Sequence, residues 1–188
     1  MKNLIIRTVS GVVFLAVMLL ALLSGDWFEG GKYIFATLMS FALVMMMVEF
    51  FRMTMGNVYK ASRVLAIVGA CLMFAVTFLV QSTEAVTGQF ITLAFIPLFV
   101  VMINSLYVKD KKDFGKFSNI YTGILYIAVP WTLLNFTAFD SNHDFNGLML
   151  LCMFIIIWVS DVGAYLFGST LGQKFGPKLF PTISPHKS

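Results

Sequence analysis

"LMLLCMFIIIWVSDVGAYLF", residues 148–167, runs for twenty residues with a single charge, Asp161. About 20 apolar residues in helical rise cover a hydrocarbon core roughly 30 Å thick, so the stretch reads as a membrane span. Five more runs of the same kind lie upstream, at approximately Leu4–Leu23, Tyr33–Phe51, Val64–Val80, Phe90–Val108 and Ile120–Phe136. With 59% hydrophobic and only 12% charged residues, and a mean hydropathy of +0.88, the chain has too little polar surface for a soluble domain. The expected fold class is all-α: a polytopic integral membrane protein of about six transmembrane helices over residues 1–167, followed by a basic Gly/Pro/Lys segment at 168–188.

The first run has Lys2 and Arg7 before it and Ala21, Ser24 and Gly25 after it, the flanks of a cleavable signal. Its apolar stretch exceeds the roughly 7–15 residues of such a signal, and the rest of the chain is equally membrane-grade, so it reads as a retained first helix. Lys and Arg placement tests the six-span reading independently of hydropathy. Six spans put 12 of the 13 basic residues at one end of the bundle, with Lys32 the exception. By the positive-inside rule that end is cytoplasmic, and so are both termini. The opposite connections, "SGDWFEGGK", "QSTEAVTGQ" and "TAFDSNHDFNG", are short and mildly acidic. Trp27 and Phe28 suit interfacial anchoring there, whereas Trp131 fits either an anchor or the core. The net charge of +4 belongs to the basic end, where it attracts anionic headgroups or nucleotides. Nucleic acid is excluded as a partner, since no basic and aromatic surface of useful size remains outside the membrane.

Cys71 and Cys152 sit in mid-span without CxxC or Cys/His spacing, which argues against a disulfide framework or a zinc site. His143 and His186 fall at opposite ends. There is no GxxxxGK[ST] and no GxGxxG, so no nucleotide is held by a P-loop or a Rossmann turn. The sequon Asn135-Phe-Thr137 abuts the membrane and reads as chance, and no internal repeat supports an inverted-repeat transporter. Pro97 and Pro130 lie inside spans, where a structural bend is the first expectation.

Two carboxylates remain. Glu49 has Arg52 three residues later on the same helix face, the spacing of an interfacial ion pair. Asp161 has no Lys or Arg within a helical turn and lies six residues, roughly 9 Å, from the end of its span. An aspartate at such depth costs about 2.5–3.5 kcal/mol on insertion scales, tolerable where it meets a wet cavity, a partner or a cation. The structural reading is a hydrogen bond to Ser160 or to Asn104; the functional one is a site. Asp161, Ala164, Tyr165 and Gly168 share one helix face. Gly163, Gly168 and Gly172 permit close helix packing, or close approach of a headgroup. Beyond them, Lys174 and Lys178 flank Gly176-Pro177, and "PTISPHKS" closes the chain. A deep carboxylate just above a basic segment is where an anionic ligand and a divalent cation would meet.

These residues carry a resemblance. Asp161-Val-Gly-Ala-Tyr-Leu-Phe-Gly168, Gly172-Gln-Lys-Phe-Gly and Ser184-Pro-His-Lys-Ser188 resemble the D-x-x-A-Y-x-x-G, G-[KR]-x-F-G and S-P-K-K-[ST] run of the phosphatidate cytidylyltransferases. The likeness is specific over residues 160–188; earlier spans share only length, spacing and orientation. It implies a multi-pass protein of the bacterial inner membrane that converts CTP and phosphatidate to CDP-diacylglycerol and pyrophosphate with Mg²⁺. It further implies that Asp161 binds the metal, that Lys187, with Asp161, is catalytic, and that Ser184, Lys187 and Lys174 contact phosphates. Tyr165 and Gly168 would shape the headgroup cavity. Two departures stand out: His186 replaces a lysine, and the family's W-E-G segment and D-R-x-D signature are not in these 188 residues. Ending there reads as the amino-terminal part of such an enzyme, expected to have little activity alone. The rival readings are a non-catalytic membrane protein, such as a transporter or scaffold with Asp161 as an ion site, and a CTP-using lipid kinase. The oligomeric state, a homodimer included, stays open.

Overall fold

The computed structural model describes residues 2–28, 30–107, 114–168 and 170, and the spans are helical. Six segments are long and apolar enough to cross a membrane. They comprise α1 (Lys2–Leu23), α2 (Gly31–Met55), α3 (Lys60–Ser82), a 3₁₀ stretch Gly88–Phe95 continued by α4 (Ile96–Leu106), then α5 (Phe114–Gly123), a π segment Ile124–Ala128 and α6 (Val129–Ala138) forming one span, and α7 (Gly147–Phe167). Each expected run matches one of these, with ends that differ by up to six residues, the largest at the start of the fifth span, Phe114 rather than Ile120. Among the described residues there is no strand, only a bridge pairing Phe139 with Phe145. The chain divides into two compact units, Met1–Leu148 and Met149–Ser188.

In the first unit α3 is the hub, packing on α2, α4, α6 and the 3₁₀ stretch. Small residues on its buried side, Ser62, Ala66, Gly69 and Ala70, let those neighbours approach closely, the packing device available to helices that gain nothing from water exclusion. At Gly69 a Cβ would lie 2.7 Å from the Cβ of Pro97. Pro97 itself opens α4, where its missing N–H breaks no intrahelical bond. Pro130 likewise opens α6, directly after the π segment, whose wider turn relieves the clash between a proline ring and the carbonyl four residues back. Both prolines therefore have structural explanations.

The buried row of α2 takes every fourth residue, through Phe35, Met39, Leu43, Met47, Phe51 and Met55. Such a row is inclined to the helix axis, and α2 meets α1, α3 and α5. Trp131, half-buried, donates its indole N–H to the Met39 carbonyl at 2.9 Å, which assigns it to the core. Asn135, wholly buried, donates to the Thr77 hydroxyl at 2.8 Å and the Phe74 carbonyl at 3.3 Å. Its amide is thus enclosed within the bundle, in keeping with a chance sequon.

Helix ends are closed by named groups. Gly56, at φ +61°, ends α2 in a conformation that side-chain-bearing residues rarely adopt. The Arg63 guanidinium donates to the Gly56 and Phe51 carbonyls. At the other end of the bundle, α3 stops with the Ser82 carbonyl accepting from Lys32 Nζ at 3.0 Å and the Gln81 carbonyl 3.0 Å from His143 Nδ1. A carbonyl only accepts, so Nδ1 carries the proton in that bond. Lys32, the basic residue that the six-span reading sets apart from the others, thus caps a helix C-terminus, where a cation is favoured.

The second unit consists, in its described part, of α7 from Met149 onward and a π-type turn at Gly168 and Thr170. Phe154 and Trp158 stack at 5.9 Å between ring centroids, and the Thr170 hydroxyl donates to the Leu166 carbonyl at 2.6 Å.

Candidate functional site

Residues 148–167 form a helix because an apolar segment in lipid has no water to satisfy its amides and must bond them internally. That helix fixes the position of Asp161. It is regular through Phe167, so Asp161, Ala164 and Tyr165 stand on one face, and all three are exposed. Tyr165 retains 74% of its accessible surface. Gly168 follows at the π-type turn and is half-buried. Around Gly163 nothing lies within 4 Å of where a Cβ would sit, so no described residue requires its small size.

Among the described residues of its own unit, none hydrogen-bonds or ion-pairs with Asp161; Ser160, one of the two partners expected on a structural reading, does not. The other, Asn104, accepts the Ser62 hydroxyl on its amide oxygen at 2.6 Å. The predicted Glu49–Arg52 pair is present at 2.7 Å, both side chains largely exposed. Exposed pairs of this kind contribute about 0–1 kcal/mol. With Arg52 paired and Arg63 held on the end of α2, two of the charges at the basic end of the first unit are already engaged.

The structure thus brings Asp161 and Tyr165 together, one turn apart on an open helix face. Lys174, Ser184 and Lys187 lie outside the described residues, as does the rest of the predicted phosphate-binding segment. Among the described residues no three His, Cys, Asp or Glu side chains converge on a metal position. Mg²⁺ does not need such a cage: it keeps several waters and is held by one or two carboxylates together with substrate phosphates. An exposed Asp161 carboxylate fits that donor set.

The family described as cytidylyltransferases matches residues 5–188. The chain belongs to this family. Its relatives include the phosphatidate cytidylyltransferase of Staphylococcus haemolyticus, 23% identical over 97% of this chain and 64% of the relative. That of Staphylococcus epidermidis is 25% identical over the same shares. A third, from Staphylococcus aureus, is 29% identical over 48% of this chain and 32% of its own. The chain spans 64% of the length of the first two. No solved structure matches it. The cytidylyltransferase match covers every span, including those that resembled the family only in length and spacing.

What the sequence reading did not single out is the closure of the opposite end by Lys32 and His143. The signal was available in Lys32, the lone departure from the charge asymmetry. The buried Asn135–Thr77 pair carried no signal, because both residues are common in loops and spans alike.

Proposed function

We propose that this protein transfers a cytidylyl group from CTP to phosphatidate, releasing pyrophosphate and forming CDP-diacylglycerol, at the cytoplasmic face of a bacterial inner membrane. The observation that carries the reading is an exposed aspartate within a membrane span, one turn from Tyr165, in a chain whose family is that of cytidylyltransferases. A non-bridging oxygen of the lipid phosphate attacks the α-phosphorus. The bond from that phosphorus to the β-phosphate oxygen breaks, and its electron pair leaves with pyrophosphate. Both reactants are polyanions, so mutual repulsion is the main obstacle. Mg²⁺, held through Asp161, supplies charge neutralisation among the phosphates when bound. Ser184, Lys174 and Lys187, in the segment 168–188, donate to phosphate oxygens, and Lys187 stabilises the departing pyrophosphate. Tyr165 and Gly168 border the headgroup, the glycine leaving room for its approach.

The test is protection from labelling. In native membranes CTP with Mg²⁺ is expected to shield Lys174 and Lys187 from an amine-reactive reagent by about tenfold, while Lys60, exposed on α3, reacts as before. Labelling of all three lysines that ignores nucleotide would point instead to a transporter or scaffold. Product analysis by mass spectrometry separates the cytidylyltransferase from a CTP-using kinase, since only the former yields CDP-diacylglycerol.

The orientation is tested separately. In a protein whose two native cysteines are replaced by serine, Asn142→Cys is expected to react with a membrane-impermeant maleimide on intact cells. Asn57→Cys, at the basic end, should react only after permeabilisation. The reverse pattern would invert the topology and remove Asp161 from the CTP side.

A further inference from the structure

The end of the bundle away from the basic connections carries two adjoining hollows in the first unit. One is an apolar groove of about 620 Å³ between α1 and α2, lined by Val17 and Leu20 on one side and by Tyr33, Ile34, Thr37 and Phe41 on the other. From Tyr33 to Phe41 it follows roughly 12 Å of helix. The second is a polar cavity of about 590 Å³ bounded by Asp26, Trp27, Phe28, Lys32, His143 and Asp144. Both fall in the size range of small-molecule sites. They are joined through Lys32, whose ammonium lines the polar cavity and lies 5.7 Å from the centroid of Tyr33, a wall of the groove.

The charges say what fits. Of its three N–H donors, Lys32 gives one to the Ser82 carbonyl. No ion pair joins Lys32 to Asp26 or Asp144, so neither carboxylate neutralises it. Among its described lining residues the cavity therefore presents one ammonium near the groove, with two N–H donors to spare, and two carboxylates with no described partner. An anionic headgroup would meet two carboxylates for one ammonium. A headgroup with a phosphate next to its tails and an ammonium beyond it meets each group with its opposite. The groove adds shape but little selectivity, because a lipid tail leaving bulk hydrocarbon for an apolar groove gains no hydrophobic free energy. Discrimination has to come from the charges.

We propose that these hollows hold one aminophospholipid of the adjoining leaflet, with a tail in the α1–α2 groove, its phosphate at Lys32 and its ammonium toward Asp26 and Asp144. No residue of this site belongs to the proposed cytidylyltransferase site, and the two readings stand or fall separately.

Native mass spectrometry of the purified native protein tests it, with phosphatidylethanolamine, phosphatidylglycerol and diacylglycerol of identical acyl chains added in turn. Phosphatidylethanolamine is expected to be retained up to about fivefold over phosphatidylglycerol, the upper ratio one exposed ion pair supports. Diacylglycerol, lacking the phosphate, should be retained least. Thr37→Trp, which fills the groove from an exposed position, should lower retention of both phospholipids. The double variant Asp26→Asn, Asp144→Asn removes only the carboxylates and should abolish the preference while leaving the Lys32 cap intact. Equal retention of the two phospholipids by the unmodified protein overturns the proposal. So does retention of diacylglycerol at the level of phosphatidylethanolamine, or a preference that survives the double Asn variant.

Discussion

Asp161→Asn in the native protein is expected to lower Mg²⁺-dependent formation of CDP-diacylglycerol by about 10²-fold or more, with the amount of protein in the membrane unchanged or raised. The two halves of that expectation have different causes. The carboxylate would act through the Mg²⁺ it helps hold, and loss of a group that stabilises developing charge costs about 10²–10³ in rate; the lower figure corresponds to roughly 2.7 kcal/mol of barrier. Membrane insertion moves the other way, because the deep carboxylate opposes insertion and the neutral amide opposes it less. Asp161→Glu keeps the charge and displaces it by a methylene, so partial activity is expected. Radiolabelled CTP incorporation into chloroform-soluble product reads the first half, and quantitative blotting with thermal unfolding in detergent reads the second. A structural role for Asp161 makes a different forecast: the unfolding midpoint falls together with activity, and adding Mg²⁺ does not alter the ratio between variants. Loss of activity with an unchanged midpoint separates the two, since within its own unit no described residue relies on Asp161 for a bond.

Gly31→Ala should produce a large loss of stability in the first unit, well beyond that of an alanine placed in open space. Ser24, buried where the chain leaves α1, donates to the Ala21 carbonyl at 2.8 Å and reaches the Gly31 carbonyl at 3.0 Å, locking the corner between α1 and α2. A Cβ on Gly31 would come within 2.5 Å of the Gly25 amide nitrogen and closer still to the Ser24 carbonyl. These are backbone atoms, which cannot swing aside as a side chain does. Alanine gains roughly 1 kcal/mol in helix propensity over glycine, but relieving this overlap means opening the corner and its two hydroxyl contacts. Overpacking of this kind costs typically 1–3 kcal/mol, and here the upper part of that range is expected. For a chain of this size the thermal midpoint should drop by roughly 4–8 °C. Gly88→Ala is the control, because nothing lies within 4 Å of the added methyl. Equal midpoints for the two variants would mean that the α1–α2 corner yields more easily than its contacts indicate.

Asp161 was legible as a candidate from the residues alone, since a lone charge in an apolar run stands out against its own background. So was the pairing of Glu49 with Arg52, because helix geometry puts residues three apart on one face. The reasons for Pro97 and Pro130 were not legible. A proline in a span looks the same whether it bends a helix over a ligand or opens a new helical segment after a 3₁₀ or π turn. Trp131 was open for a similar reason, as an indole suits an interface and a core equally until its N–H finds the Met39 carbonyl, 92 residues away in sequence.

The sequence by itself determined how many times the chain can cross a bilayer, which connections share an end, and where the family motif falls. Those properties add up locally: transfer free energies sum along twenty residues, and positive charges count loop by loop. It could not determine which side of each span is buried. In lipid both sides of a helix are apolar, so Phe41, Met45 and Val48 are as hydrophobic as the buried Met39, Leu43 and Met47 beside them, and periodicity carries no message. That choice was made by tertiary packing, through small residues on α3, two prolines seated at helix starts, and polar side chains finding distant carbonyls. Each depends on contacts between segments far apart in the chain, where close packing and hydrogen-bond geometry replace hydropathy as the deciding terms.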